Sequence, residues 1–387
     1  MMPLQATEPT PRKIRVLLLS DEMEVGGTQR QIVHVARSLD RSRFEPTVAY
    51  FRNRSFLVDQ LEQAGVAVAE IPKNGRFDPD FVRRLRRFLR DGQFDVMHCF
   101  AFSGELWGAV ARRLLPAAVR PTLITSVRNK YDWYSSFQWR LKRWAALQSS
   151  RVIANSHAGG EHARLTMGLP QGAVDVVYNG VGDAPEAAAS PPASKSGGAV
   201  TALFVGRLVE QKNVPVLLRA MKRLRNTDTK LRLLVAGDGP LRKLCEQMIA
   251  ELELGDRVEL LGERSDVPAL MAATDFVVLP SLREGLSNVI LEAMMVGRPV
   301  IASAVGGSVE LVEQMKSGLL FPSDDDAALA DALRLLAGDA DLRDKFGARG
   351  RQRAIEQFTV PAMVRTMQDF YICCAAEHPA RGVTIQG

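Results

Sequence analysis

The 387-residue chain predicts two parallel, doubly wound α/β domains, each Rossmann-like, facing one another across a cleft. Three observations predict this. Short apolar runs alternate with segments of helical periodicity through both halves, the pattern of βαβ units and a parallel sheet. Glycines follow the strands, at Gly26-Gly27, Gly206, Gly237, Gly285 and Gly306-Gly307. Between the halves, residues 182–198 read GDAPEAAASPPASKSGG, a stretch without apolar periodicity and therefore a linker.

The first domain is expected over residues 11–181, after a leader at 1–10 that carries no periodicity. Lys13–Ser20 is its first strand. Asp21–Thr28 (DEMEVGGT) then leads into a helix on which Ile32, Val35, Ala36 and Leu39 share a face. A Gly pair between strand and helix N-terminus suits a phosphate, or is a plain tight turn. Strands follow at Thr47–Phe51, Val66–Ile71, Phe94–Phe100, Thr122–Val127, Val152–Ser156 and Val174–Tyr178. His98, near the end of its strand, is placed either to face a ligand or to sit hydrogen-bonded in the core.

The second domain, 199–358, repeats the pattern. Its strands are expected at Val200–Val205, Leu231–Ala236, Val258–Leu261, Phe276–Pro280 and from Val300. Helices are expected at Val214–Arg225, Leu241–Leu252, Asn288–Val296, Asp324–Gly338 and Asp339–Phe358. Gly297 and Pro299 end the helix that Ser287 or Asn288 caps. A last helix at 359–375, with Pro361 in its first turn, is expected to cross back to the first domain, and 376–387 is a tail.

Apolar content of 46% and charged content of 24% are ordinary for a globular protein. No apolar run approaches the roughly 18 residues of a membrane-spanning helix. The four cysteines (Cys99, Cys245, Cys373, Cys374) have neither metal-ligand nor disulfide-framework spacing, so a reducing cytoplasm is expected. Charge is uneven. Residues 1–182 hold 26 Lys+Arg against 17 Asp+Glu, a net +9, while the remainder is net −3. The basic half should meet something anionic, such as a membrane surface or a phosphorylated substrate. Two segments could carry that contact: the helix Asp80–Arg90 (DFVRRLRRFLR), and Arg128–Trp144, where five cations alternate with six aromatics. Both suit anionic headgroups; a solvated face and aromatic packing between helices are the alternatives. Nucleic acid is not expected as a partner, since it would leave the second domain's glycine clusters idle.

Arg207 and Lys212 stand five apart after a strand, beside glycine amides, an arrangement suited to a diphosphate. Glu292, one turn into a helix, can accept hydrogen bonds from a vicinal diol. A nucleotide sugar offers both groups.

Six motifs in order make the chain resemble the GT-B-fold glycosyltransferases of family 4, the retaining group of bacterial polysaccharide and lipopolysaccharide synthesis. They are GGTQR (Gly26–Arg30), VYNGV (Val177–Val181), VGRLVEQKN (Val205–Asn213), AGDGP (Ala236–Pro240), LGERSDVP (Leu261–Pro268) and PSLREGLSNVILEAMMVGRPVIAS (Pro280–Ser303). The last holds an E-x7-E signature as Glu284 and Glu292. The resemblance covers about Lys13 to Phe370.

By that resemblance Arg207 and Lys212 hold the donor diphosphate, Glu292 the ribose, and Glu284 the transferred sugar. Gly285, Leu286, Ser287, Asn288 and Val289 offer backbone to sugar or phosphate. Arg264 to Val267 line the base, and Gly26 and Gly27 meet the phosphate from across the cleft. The family's usual His-x-His ends here in Phe100, which leaves His98 as the candidate sugar contact, and Arg128 stands where many relatives have histidine. The resemblance implies a nucleotide-diphosphate-sugar donor, a glycan or lipid-linked acceptor and no cofactor or required metal. A cytoplasmic place, peripheral to the inner face of the plasma membrane, is expected. A nucleotide-sugar epimerase on the same fold and a non-catalytic glycan- or lipid-binding module are the competing readings.

Overall fold

The computed structural model describes residues 12–75, 78–129, 131, 133–183 and 199–377. The expected leader, and nearly all of the expected linker and tail, lie outside the described residues. Thirteen strands form two sheets among the described residues. The first holds β1 (Ile14–Leu19), β2 (Phe44–Tyr50), β3 (Ala67–Glu70), β4 (Val96–Cys99), β5 (Thr122–Val127), β6 (Arg151–Ala154) and β7 (Val174–Val176), in the order 3-2-1-4-5-6-7. The second holds β8 (Val200–Val205), β9 (Leu231–Ala236), β10 (Val258–Gly262), β11 (Phe276–Leu279), β12 (Val300–Ser303) and β13 (Gly318–Phe321), in the order 10-9-8-11-12-13. Every pairing between these strands is parallel.

A parallel sheet needs helices on both faces, so its strands read as continuous apolar runs. β1 and β11 do: Val16 to Leu19 and Phe276 to Leu279 are all 0% exposed. In each sheet the strand order reverses at its first strand, between β1 and β4 and between β8 and β11. Open α/β sheets bind ligands at such switch points, outside the carboxyl ends of the strands. The loops that leave those ends hold 20–27 and 206–213, and 280–287 follows β11.

The expected elements correspond to observed ones with boundaries shifted by a few residues. Additional elements include strand β13 and the helices Val267–Ala273, Ala101–Arg113, Ser136–Leu147 and His157–Met167. The last two have weak amphipathic patterns broken by glycine and polar residues, and tertiary packing completes them. Ser135 and Gln138 cap Ser136–Leu147 reciprocally.

The helix Val360–Ala376 leaves the second domain and packs on the first. Met363, Val364, Met367, Tyr371 and Cys374 share one core cluster with Val16, Leu18, Ile32 and Val35. Its entry is pinned by a reciprocal backbone pair: Val181 N–H donates to Phe358 O (2.8 Å) and Val360 N–H to Val181 O (3.1 Å).

Candidate functional site

A cavity of about 260 Å³ lies between the two domains, lined by both. Two helix N-termini border it. The helix Gly27–Ser38 starts at Gly26, which has no side chain to cap it, so its first N–H groups stay available. The helix Asn288–Met295 faces it and is capped by Ser287, whose hydroxyl accepts from Ile290 N–H. Helix N-termini carry partial positive charge and favour anions.

Glu284 and Lys212 meet on the floor. Lys212 Nζ donates to Glu284 Oε1 at 2.5 Å, and the Ser281 hydroxyl donates to the same oxygen at 2.7 Å. The pair is mostly buried, with side chains 18% and 8% exposed. The two loops that hold them are stitched together: Leu282 N–H donates to Gln211 O (2.8 Å), and Gln211 Nε2 to Arg283 O (2.9 Å). An ammonium has three N–H donors, so Lys212 keeps two after serving Glu284.

Glycine is required at two positions. Gly285 passes so close to Arg128 that a Cβ there would overlap the Arg128 carbonyl oxygen. Gly306, at φ +49°, brings the loop after β12 onto the Glu284 carbonyl, which a side chain would displace.

Asn288 ties the domains together. Its Oδ1 accepts from Gln31 Nε2 (3.2 Å) and Asn179 Nδ2 (2.8 Å), and its Nδ2 donates to Gly27 O (3.1 Å). Asn179 Nδ2 also donates to Leu286 O (3.3 Å), and Val289 completes that wall. Gln31 in turn exchanges bonds with the Gly180 backbone at 2.9 and 3.1 Å.

Other residues expected at the site are more scattered. Arg207 is exposed on the loop after β8. Glu292 is partly buried, and its carboxylate has no hydrogen-bond partner among the described residues. Burial pushes its pKa up, while Arg30 across the interface opposes that rise. Arg264 and Val267 follow the edge strand β10 and do not line this cavity. Arg264 instead holds Asp266 in a two-point pair at 2.8 and 2.7 Å and borders a second depression of about 350 Å³.

His98 is a correction. It is 0% exposed, and both ring nitrogens are engaged, Nδ1 with Tyr371 Oη at 2.9 Å and Nε2 with Ser126 Oγ at 2.7 Å. Its ring stacks on Phe100, and burial holds it neutral well below the ordinary histidine range. The returning C-terminal helix supplies Tyr371 and closes His98 into the core, off the lining of the interdomain cavity.

The segment 128–144 divides as well. Tyr131 is buried against Tyr134 and Trp139, and Lys142 is buried against Glu105 at 2.5 Å. Trp133, Phe137, Arg140 and Arg143 remain at the surface. Lys130 lies outside the described residues. On the helix Pro79–Gly92 the five arginines all stay exposed.

Five residues line the cavity without a role assigned from sequence: Thr28, Arg128, Asn129, Asn155 and Asn179. The Asn-Gly pair at 179–180 is a turn signal, which conceals Asn179's cross-domain bonds. No group of three or more His, Cys, Asp or Glu among the described residues could hold a metal ion. No described helix is long and apolar enough to cross a membrane.

Comparison with known proteins agrees on what this cleft belongs to. Residues 25–184 match the model of Glycosyltransferase Family 4, and 188–353 match that of Glycosyl transferases group 1. The lipopolysaccharide core biosynthesis glycosyltransferase LpsD of Rhizobium meliloti is 31% identical over 89% of this chain and 95% of its own length. A phosphatidyl-myo-inositol mannosyltransferase of Mycobacterium leprae is 30% identical over 84% of this chain and 88% of that protein. Among solved structures, Anabaena HepE in complex with UDP superposes with a TM-score of 0.81 and 23% identity, covering 93% of this chain and all of that one. The chain belongs to the GT-B glycosyltransferases of family 4, and it is a transferase.

Proposed function

We propose that the chain transfers a sugar, with retention at the anomeric carbon, from a nucleoside-diphosphate sugar to a hydroxyl of a glycan or lipid-linked acceptor in cell-surface polysaccharide synthesis. One observation carries the reading: the Lys212–Glu284 pair, the Gly285–Val289 backbone and Gly27 line a single cavity between the domains. The relatives point the same way. LpsD is named for lipopolysaccharide core synthesis, and HepE has been solved with UDP-glucose.

The order of loops along the second sheet suits such a donor. Glu284 follows β11, Arg207 and Lys212 follow the neighbouring β8, and Arg264 and Val267 follow β10 at the edge. A nucleotide laid across this edge puts its sugar at Glu284, its diphosphate at Arg207 and Lys212, its ribose at Glu292 and its base toward Arg264. As the glycosidic bond breaks, negative charge grows on the leaving diphosphate. Arg207 and the free N–H groups of Lys212 then gain strength as partners, while Glu284 holds both Lys212 and the sugar. The departing phosphate itself takes the proton of the acceptor hydroxyl. No metal and no cofactor has a part in this scheme.

Arg207→Ala should lower turnover by about 10²–10³, the scale of a lost charge-stabilising donor. Steady-state assay with the accepted donor measures it, and near-normal turnover would sink the assignment. We further place the protein peripherally on an anionic membrane, through Trp133, Phe137, Arg140 and the arginines of the helix Pro79–Gly92. Sedimentation with vesicles containing anionic lipid at low salt should capture it and high salt release it. Protein left in the supernatant at low salt would refute the placement.

A further inference from the structure

Arg128 is 8% exposed and lines the interdomain cavity, yet no carboxylate among the described residues pairs with it. Its guanidinium is fixed from two directions. The Phe100 ring lies 5.0 Å beneath it, and Nη1 donates to Asn179 Oδ1 at 3.1 Å. The other edge of the fork is unpaired among the described residues: Nε and Nη2 are both buried without a hydrogen-bond partner. Asn155, 3% exposed, lines the same cavity, and its Oδ1 is likewise buried and unpartnered. Asn155 belongs to this cluster directly, since its Nδ2 donates to Arg128 O at 3.4 Å.

Unmet buried donors are costly and call for an explanation, and a pair of them beside an unmet acceptor in the wall of a cavity is accounted for by a bound ligand. The pattern specifies the ligand. Nε–H and Nη2–H run side by side, the edge that takes both oxygens of a planar carboxylate. The acceptor on Asn155 calls for a hydroxyl. Among the charged residues lining the cavity, Lys212 and Glu284 neutralise each other, so Arg128 is the unbalanced charge. Its neighbour in the wall is Gly285, next to the glutamate placed at the sugar.

We propose that Arg128 and Asn155 form a subsite for an acidic donor sugar, a uronic acid whose carboxylate takes the open edge of Arg128 and whose ring hydroxyl donates to Asn155. This rests on the reading of the cavity as the donor-sugar site. Arg128 thereby sets specificity, while Arg207, Lys212 and the helix N-termini hold the diphosphate common to every donor.

The test is equilibrium binding, by calorimetry and thermal shift, of UDP, UDP-glucose and UDP-glucuronate, with GDP, GDP-mannose and GDP-mannuronate as the second series. Wild type should bind the uronate at least tenfold tighter than the neutral sugar on the same nucleotide. Arg128→Met should erase that ratio while changing affinity for the free nucleoside diphosphate less than threefold. Arg128→Lys, a point charge without the fork, should keep only part of the preference. Equal binding of acidic and neutral sugars by wild type overturns the subsite and leaves the donor site standing. Loss of the free nucleoside diphosphate in Arg128→Met overturns it too, since Arg128 would then hold phosphate. If neither nucleotide series binds, the donor-site reading falls and the subsite with it. A guanidinium that is only structural makes Arg128→Met melt well below wild type with no sugar preference in either protein, which also overturns it.

Discussion

Replacing Lys212 by Met leaves the Glu284 carboxylate in a mostly buried loop with the Ser281 hydroxyl as its remaining side-chain partner. Truncating one member of a buried ion pair costs about 3–5 kcal/mol, because the charge left behind has lost its compensation. Lys212 is 18% exposed, so water relieves part of the loss and the lower end applies, about 3 kcal/mol. For a domain of this size that is a fall in Tm of roughly 6–12 °C. Glu284→Gln strands a partly hydrated ammonium and should cost less. In the double variant neither stranded charge is present, so the two losses should fail to add by about 1–3 kcal/mol. Differential scanning calorimetry of the four proteins closes the cycle. Additive losses, or a Lys212→Met variant within about 0.5 kcal/mol of wild type, would show that the 2.5 Å contact contributes nothing to the loop.

Two other outcomes follow from the same geometry. Asn288→Ala deletes three bonds across the cleft, each contributing about 1 kcal/mol net, so the closed arrangement should weaken by about a hundredfold. Small-angle scattering should then give a larger radius of gyration than wild type, and an unchanged value refutes the clasp. Asp21, beside Glu22 at the end of β1, has its pKa raised from 3.8 to about 6, chiefly by burial. A raised carboxyl pKa means the folded state binds its proton more tightly than the unfolded chain. The group therefore costs almost nothing below about pH 3, and its penalty grows as pH rises toward 6, reaching about 3 kcal/mol above that. Asp21→Asn should be more stable than wild type at pH 8 by up to that amount, with the gap shrinking to about 1 kcal/mol at pH 4.5. Urea midpoints at the two pH values measure this, and a variant no more stable at pH 8 rules the account out.

Local patterns in the chain determined most of the architecture. Continuous apolar runs such as Phe276–Leu279 have one stable home, a parallel strand covered on both faces. Gly after a strand and before a helix start marks the ligand edge of each sheet, and the family resemblance adds that Gly27, Lys212 and Glu284 share one cleft, whose cavity all three line. Tertiary structure decided what those side chains actually touch. Lys212 and Glu284 were expected on phosphate and sugar separately, yet folding of their two loops brings them onto each other. His98 ends the right strand for a ligand, but the C-terminal helix delivers Tyr371, 273 residues further on, to its Nδ1 and buries it. Arg128 looked like one cation in a basic aromatic stretch. Its lack of a carboxylate partner among the described residues, and the unpaired edge of its guanidinium, arise from Phe100, Asn179 and Gly285, which three separate loops bring together. Strand and helix are set by neighbours in sequence, whereas burial and pairing are set by neighbours in space, and the second kind of neighbour chooses the chemistry of the cleft.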